Sequence, residues 1–163
     1  MFKLFSKKEE NTNDFAAVVS GKIIPLTAVN DDVFSKGMMG TGVAIVPDDD
    51  VIVAPCDGEV TMLFPTMHAF GMKNEDGVEI LVHIGIDTVK LEGKGFEVLV
   101  ENGQKVKKGD PMMRLDLSYL SENAPSLASP VLCTELEDNQ KIRLLKEGEI
   151  KAGEPLFAVD FYE

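Results

Sequence analysis

The chain carries two histidines, His68 and His83, and the residues between them decide whether the two rings can meet. Asn74-Glu75-Asp76-Gly77 lies between two β-rich runs and is a hairpin signal. With those four residues as the loop, Lys73 pairs with Val78 and His68 falls directly opposite His83. A two-residue loop at Glu75-Asp76 gives the same register. Directly opposed residues hold their Cβ atoms roughly 4.5–5.5 Å apart. A one-residue slip turns the two rings to opposite faces. On the strand expected over residues 79–86, Ile80, Val82, Ile84 and Ile86 form a core face, while Leu81, His83 and Gly85 point the other way. Gly85 beside His83 leaves room for a close approach. Thr66 and His68 share a face by i, i+2 spacing, so the threonine hydroxyl can orient the ring.

A neutral imidazole has one donor and one acceptor nitrogen and is nucleophilic near neutral pH without a base to activate it. One ring can therefore take a group covalently while its neighbour donates to the incoming oxygens. Phosphoryl transfer asks for this arrangement of an in-line nucleophile and donors around a spread negative charge. A catalytic zinc usually needs three protein ligands, and no cysteine, third histidine or HxH lies near, so no metal and no cofactor is expected. Spacing alone leaves a phosphoryl-accepting pair and a merely structural pair both open.

The elements that must position these rings are mostly short strands. Val18–Leu26, Gly42–Pro47 and Val51–Pro55 are β-branched runs, and Asp57-Gly58 marks a turn into Val60–Phe64. One helix is expected over residues 117–124. Residues 102–116 and 147–160 echo each other: each carries Gly, an aliphatic, Lys, Gly, an acid and Pro in the same order. Val53-Ala54-Pro55 is similarly echoed by Ala128-Ser129-Pro130-Val131. The reading is an all-β fold, an antiparallel sandwich or barrel built from duplicated halves with at most short helices. Residues 1–14 form a tail and residues 15–163 one domain. The tail is read as a disordered terminus, a weak contact with a membrane surface through Phe2, Leu4 and Phe5, or a linker.

Composition limits the partners. The 163 residues carry a formal net charge of −12 with 44% hydrophobic and 27% charged residues. That balance suits a soluble globular domain and argues against nucleic acid, which rewards basic patches. It suits a partner with a basic docking face. Cys56 and Cys133 form no CxxC, the start is charged too early for a secretory signal, and no apolar run approaches the roughly 18 residues of a membrane span. A cytoplasmic protein is expected.

The string Val82-His83-Ile84-Gly85-Ile86-Asp87-Thr88-Val89, with Thr66-Met67-His68-Ala69-Phe70 upstream, resembles the phosphorylation-site signature of the glucose-type enzyme IIA proteins of the bacterial phosphoenolpyruvate–sugar phosphotransferase system. The likeness extends from about residue 15 to the end, through Val53–Gly58, Leu91–Phe96 and Gly103–Val106. It implies that His83 accepts phosphate from the carrier HPr and passes it to a cysteine of a glucose-family IIB domain. It implies that His68 hydrogen-bonds the phosphoryl group, Thr66 hydrogen-bonds His68, and the Gly85 carbonyl fixes the His83 tautomer. Val33, Phe34, Met38, Phe64 and Val89 match the apolar rim of the family's site, and Asp31 and Asp87 match acids that meet basic groups of the partners. Asp32 and Met38 stand where relatives often carry aliphatics. The loop Asp31–Gly40 fits a docking rim, since Met and aromatics favour interface centres and acids steer a basic partner.

Two other readings compete. Zinc peptidases share a duplicated β-sandwich but carry a fuller ligand set that includes HxH. Biotinyl and lipoyl carrier modules place a lysine at a hairpin tip, where this chain has Asp57-Gly58.

Overall fold

The computed structural model describes residues 14–162. The tail through residue 13 lies outside the described residues. Asp14, expected in that tail, opens the first strand.

Among the described residues, fourteen strands form three antiparallel sheets. The largest holds β13 (Glu149–Ile150), β2 (Gly21–Pro25), β3 (Thr41–Pro47), β11 (Ser129–Cys133), β7 (Glu79–His83), β6 (Ala69–Asn74), β5 (Gly58–Leu63) and β9 (Lys105–Val106), in that order. The two smaller sheets run β1 (Asp14–Ala16), β14 (Pro155–Phe161), β12 (Gln140–Leu144) and β4 (Val51–Val53), β10 (Pro111–Leu115), β8 (Phe96–Val98). A buried cluster with members from all three sheets, among them Phe15, Ile45, Ile52, Phe70, Ile80, Val82, Met113 and Phe157, fills the space between them. Each such side chain contributes roughly 1.5–3 kcal/mol through burial. The expected antiparallel all-β sandwich is therefore the fold. One longer helix, Leu117–Asn123, is capped by Asp116, whose Oδ1 accepts from the Tyr119 N–H at 3.0 Å.

The large sheet repeats about its centre: from either edge inward come a two-residue strand, two paired strands and a central strand. The echo of residues 102–116 in 147–160 belongs to this repeat. Gly109 (φ 92°) and Gly153 (φ 91°) make the same turn, donating to the carbonyls of Ala54 and Ala17, both at 2.9 Å. Asp110 Oδ2 accepts from the Lys107 N–H as Glu154 Oε1 accepts from the Lys151 N–H, both at 2.9 Å. The second expected echo fails. Val53 lies in a small sheet while Pro130 lies in the middle of the large one. The structural counterpart of Ala54 is Ala17. Asp57-Gly58 does not close a hairpin either, because β4 pairs with β10 and β5 with β6 and β9. At that point the chain passes from one sheet to another.

The histidine hairpin differs from expectation by one residue. Ala69, not His68, pairs with His83, and the ladder continues through Phe70–Val82 to Lys73–Glu79. The cause is the turn. Asn74 donates its N–H to the Val78 carbonyl at 3.0 Å, so the loop is the three residues Glu75-Asp76-Gly77. Gly77 takes φ 84°, and Asn74 Oδ1 accepts from the amides of Asp76 at 3.0 Å and Val78 at 2.9 Å. A three-residue loop with a left-handed third residue is a stable hairpin class of its own, and here the Asn side chain and the Gly backbone together select it.

Candidate functional site

With this ladder, continued strand geometry would turn His68 away from His83. The rings nevertheless meet, with centroids 4.8 Å apart and planes at 81°. β6 begins only at Ala69, so His68 and Thr66 sit in the connection from β5 rather than on a strand. There Met67 donates to the Phe64 carbonyl at 2.8 Å and takes φ 63°, a left-handed conformation that L residues adopt at a cost. That twist swings His68 back over β7, and its carbonyl accepts the Ile84 N–H at 2.8 Å. Thr66 Oγ1 lies 2.7 Å from His68 Nδ1. The contact expected from i, i+2 alternation therefore exists, but a turn makes it.

His83 is the last residue of β7. Ile80, Val82 and Ile84 enter the central core, as alternation requires, and Leu81 lies on the opposite face of the sheet. Ile86 departs from the expected pattern. Gly85 (φ 72°) and Asp87 (φ 59°) break the strand, so Ile86 joins Leu81 on the outer face, in a second buried cluster with Val29, Phe34, Ala69 and Leu132. The break also turns the Gly85 carbonyl back toward its neighbour, 2.8 Å from His83 Nδ1. A Cβ on Gly85 would lie 2.7 Å from Thr88 Cγ2 and 3.1 Å from the Ser126 carbonyl oxygen, so both backbone angle and space call for glycine here.

Two phenylalanines frame the histidines. Phe34 packs on His83 with centroids 4.9 Å apart, and Phe64 meets His68 edge-on at 5.4 Å. Phe34 is held by one helical turn, Asp32–Ser35, capped where Asp31 Oδ1 accepts from the Val33 N–H at 2.9 Å. Phe34 is only 6% exposed, so it is a wall of the site and not an exposed residue of the rim. Val33, Met38 and Val89 are exposed at 42%, 71% and 46%.

The apolar walls disfavour the charged form of both rings. His68 is buried, and desolvation first and the neighbouring His83 second push it from 6.5 down to about 4. Burial likewise lowers His83, against the Gly85 carbonyl and the carboxylates of Asp31 and Asp87, which pull it upward. Both acids expected at the site thus act on His83. Lys90 approaches Asp87 at 3.9 Å on the exposed side.

Cys56 and Cys133 are free and buried, each pushed up to about 12, with burial the main cause. Among the described residues no group of three or more His, Cys, Asp or Glu is placed to hold a metal ion, and no helix is long and apolar enough to cross a membrane.

Sequence reasoning missed Thr88 and Ser129. Both are fully buried, and with His68 they are the polar side chains that are buried among the described residues. Thr88 stands within the His83–Val89 string and Ser129 within a segment noticed only as an echo. A lone hydroxyl residue in a β-rich run carries no signal of its own.

The chain matches the family described as phosphoenolpyruvate-dependent sugar phosphotransferase system, EIIA 1, over residues 13–139. It is 43% identical over 143 residues to the PTS system glucose-specific EIICBA component of Staphylococcus carnosus (strain TM300), an alignment covering 88% of this chain and 21% of that protein. The chain thus spans only about a fifth of that relative's length. Glucose permease IIA from Mycoplasma capricolum superposes with a TM-score of 0.84 at 40% identity, covering 90% of this chain and 94% of that one. The match over most of the chain and the shared fold bear out the resemblance carried by the histidine motif: the protein belongs to the EIIA 1 family of the phosphoenolpyruvate-dependent sugar phosphotransferase system.

Proposed function

We propose that the protein is a phosphoryl carrier, with His83 taking phosphate from phospho-HPr and passing it to a cysteine of the IIB domain of a glucose-family permease. The observation that supports it most is the pairing of the His83 Nδ1···Gly85 carbonyl bond with a second ring beside it. A carbonyl only accepts, so Nδ1 carries the proton and Nε2 carries the lone pair. Nε2 attacks phosphorus, and the bond from phosphorus to the donor nitrogen breaks with its electron pair returning to that nitrogen. His83 keeps its Nδ1 proton throughout, so no base is needed. On discharge the acceptor thiolate attacks, and the N–P pair returns to Nε2.

His68 stays unphosphorylated and donates through Nε2–H to the phosphoryl oxygens. The Thr66 hydroxyl favours this tautomer by donating to Nδ1. Both rings must be neutral at working pH, which their lowered pKa values support. The charges that act on His83 are acidic, Asp31 and Asp87, so they cannot hold a phosphate tightly in the loaded state. They suit a basic partner that supplies positive charge only while docked. The exposed Val33, Met38 and Val89 give that partner an apolar contact.

Incubation with phosphoenolpyruvate, enzyme I and HPr is expected to add one acid-labile phosphate, on His83. His83→Gln accepts none. His68→Gln still accepts phosphate but donates it poorly. Stable uptake by the His83 variant overturns the assignment.

A further inference from the structure

Burying a hydroxyl costs free energy unless it is hydrogen-bonded, and Thr88 and Ser129 are both 0% exposed. Each bonds to a peptide unit flanking Gly85. Thr88 Oγ1 donates to the Ile84 carbonyl. The N–H of that same peptide, on Gly85, donates to Ser129 Oγ at 3.1 Å. Ser129 is oriented in turn, because its hydroxyl proton goes to the Leu127 carbonyl at 2.8 Å, leaving a lone pair for Gly85. In the next peptide the Ile86 N–H donates to the Ser126 carbonyl at 2.9 Å, while the Gly85 carbonyl accepts from His83 at 2.8 Å. Each peptide is thus bonded at both ends, an arrangement in which the bonds polarise one another.

We propose that Ser129 and Thr88 are positioning residues for phosphoryl transfer: they brace the left-handed Gly85 turn so that its carbonyl stays on His83 Nδ1 and the lone pair stays on Nε2. This rests on the carrier reading above. Without the brace the turn can relax, the carbonyl drifts, and the tautomer with the proton on Nε2, which cannot attack phosphorus, becomes populated.

The test is ¹⁵N NMR of the imidazole nitrogens together with the rate of phosphate uptake from phospho-HPr. The wild-type protein is expected to show His83 in the Nδ1–H form. In Ser129→Ala and Thr88→Val the Nε2–H form rises to a readily detected fraction, and uptake slows by about 10- to 100-fold, the scale of a misplaced reacting group. Thr88→Ser, which keeps the hydroxyl, restores most of both. Folded Ser129→Ala and Thr88→Val proteins with tautomer ratio and rate within about twofold of wild type overturn the proposal. Should either variant not fold, amide exchange on the wild-type protein decides. Gly85 and Ile86 amides protected like those of β7 support the brace, and exchange as fast as an exposed loop refutes it. A wild-type protein that takes no phosphate on His83 refutes the carrier reading, while the tautomer measurement still judges the brace.

Discussion

Replacing Gly85 by alanine separates the two demands this position makes. At φ 72° an L residue costs about 1–2 kcal/mol. The new Cβ would stand 2.7 Å from Thr88 Cγ2 and 3.1 Å from the Ser126 carbonyl oxygen, an overpacking that costs about 1–3 kcal/mol. Reduced freedom of the unfolded chain offsets about 0.4–1 kcal/mol. The net loss is ~2–4 kcal/mol, or a fall of about 1–2 M in the urea midpoint at a slope near 2 kcal/mol per M. Gly77 supplies the control: it has φ 84° but nothing within 4 Å of its added Cβ, so Gly77→Ala should lose only ~1 kcal/mol. Adding Thr88→Ser to Gly85→Ala removes Cγ2 and should recover part of the difference. Urea unfolding followed by circular dichroism reads all four proteins. If Gly85→Ala is no less stable than Gly77→Ala, the close packing around the turn is not what the geometry implies.

Other consequences follow from burial. A histidine whose folded pKa is lowered gives stability that is full above the unfolded value of 6.5 and is lost as pH falls toward the folded value. For His68, at about 4, that amounts to ~3 kcal/mol across the window from 6.5 to 4. His68→Gln should therefore flatten the stability profile in that window, measured by urea titration at several pH values; an unchanged slope refutes the assignment. The acid limb of phosphate uptake should have its midpoint below pH 6.5, because burial lowers His83. Phe34→Ala opens the ring to water and should move that midpoint up toward 6.5, and a downward move contradicts the desolvation argument. Cys56 and Cys133 should resist alkylation at pH 8 in the native protein and react once urea unfolds it. Rapid native labelling would show that the core opens easily.

How far the sequence reaches is clear from particular residues. It named the candidate chemistry, because side-chain identity sets which groups can be nucleophile, donor or acid, and the string around His83 is distinctive. It specified which face of β7 carries His83, because alternation along a strand is a local property. It specified the turns at Gly109 and Gly153 and the helix after Asp116, because glycine torsions and caps act within a few residues. Tertiary structure alone decided the rest. Whether the hairpin loop held two, three or four residues depended on the balance of one glycine torsion and two Asn74 hydrogen bonds, and the entire register followed from it. That His68 nonetheless meets His83 depends on a left-handed Met67, a conformation that strand periodicity gives no reason to expect. The packing of Phe34 on His83 and the bond from Gly85 to Ser129 join segments distant along the chain. Such contacts are chosen by the summed burial and pairing of a whole sheet, and no local stretch of sequence contains that sum.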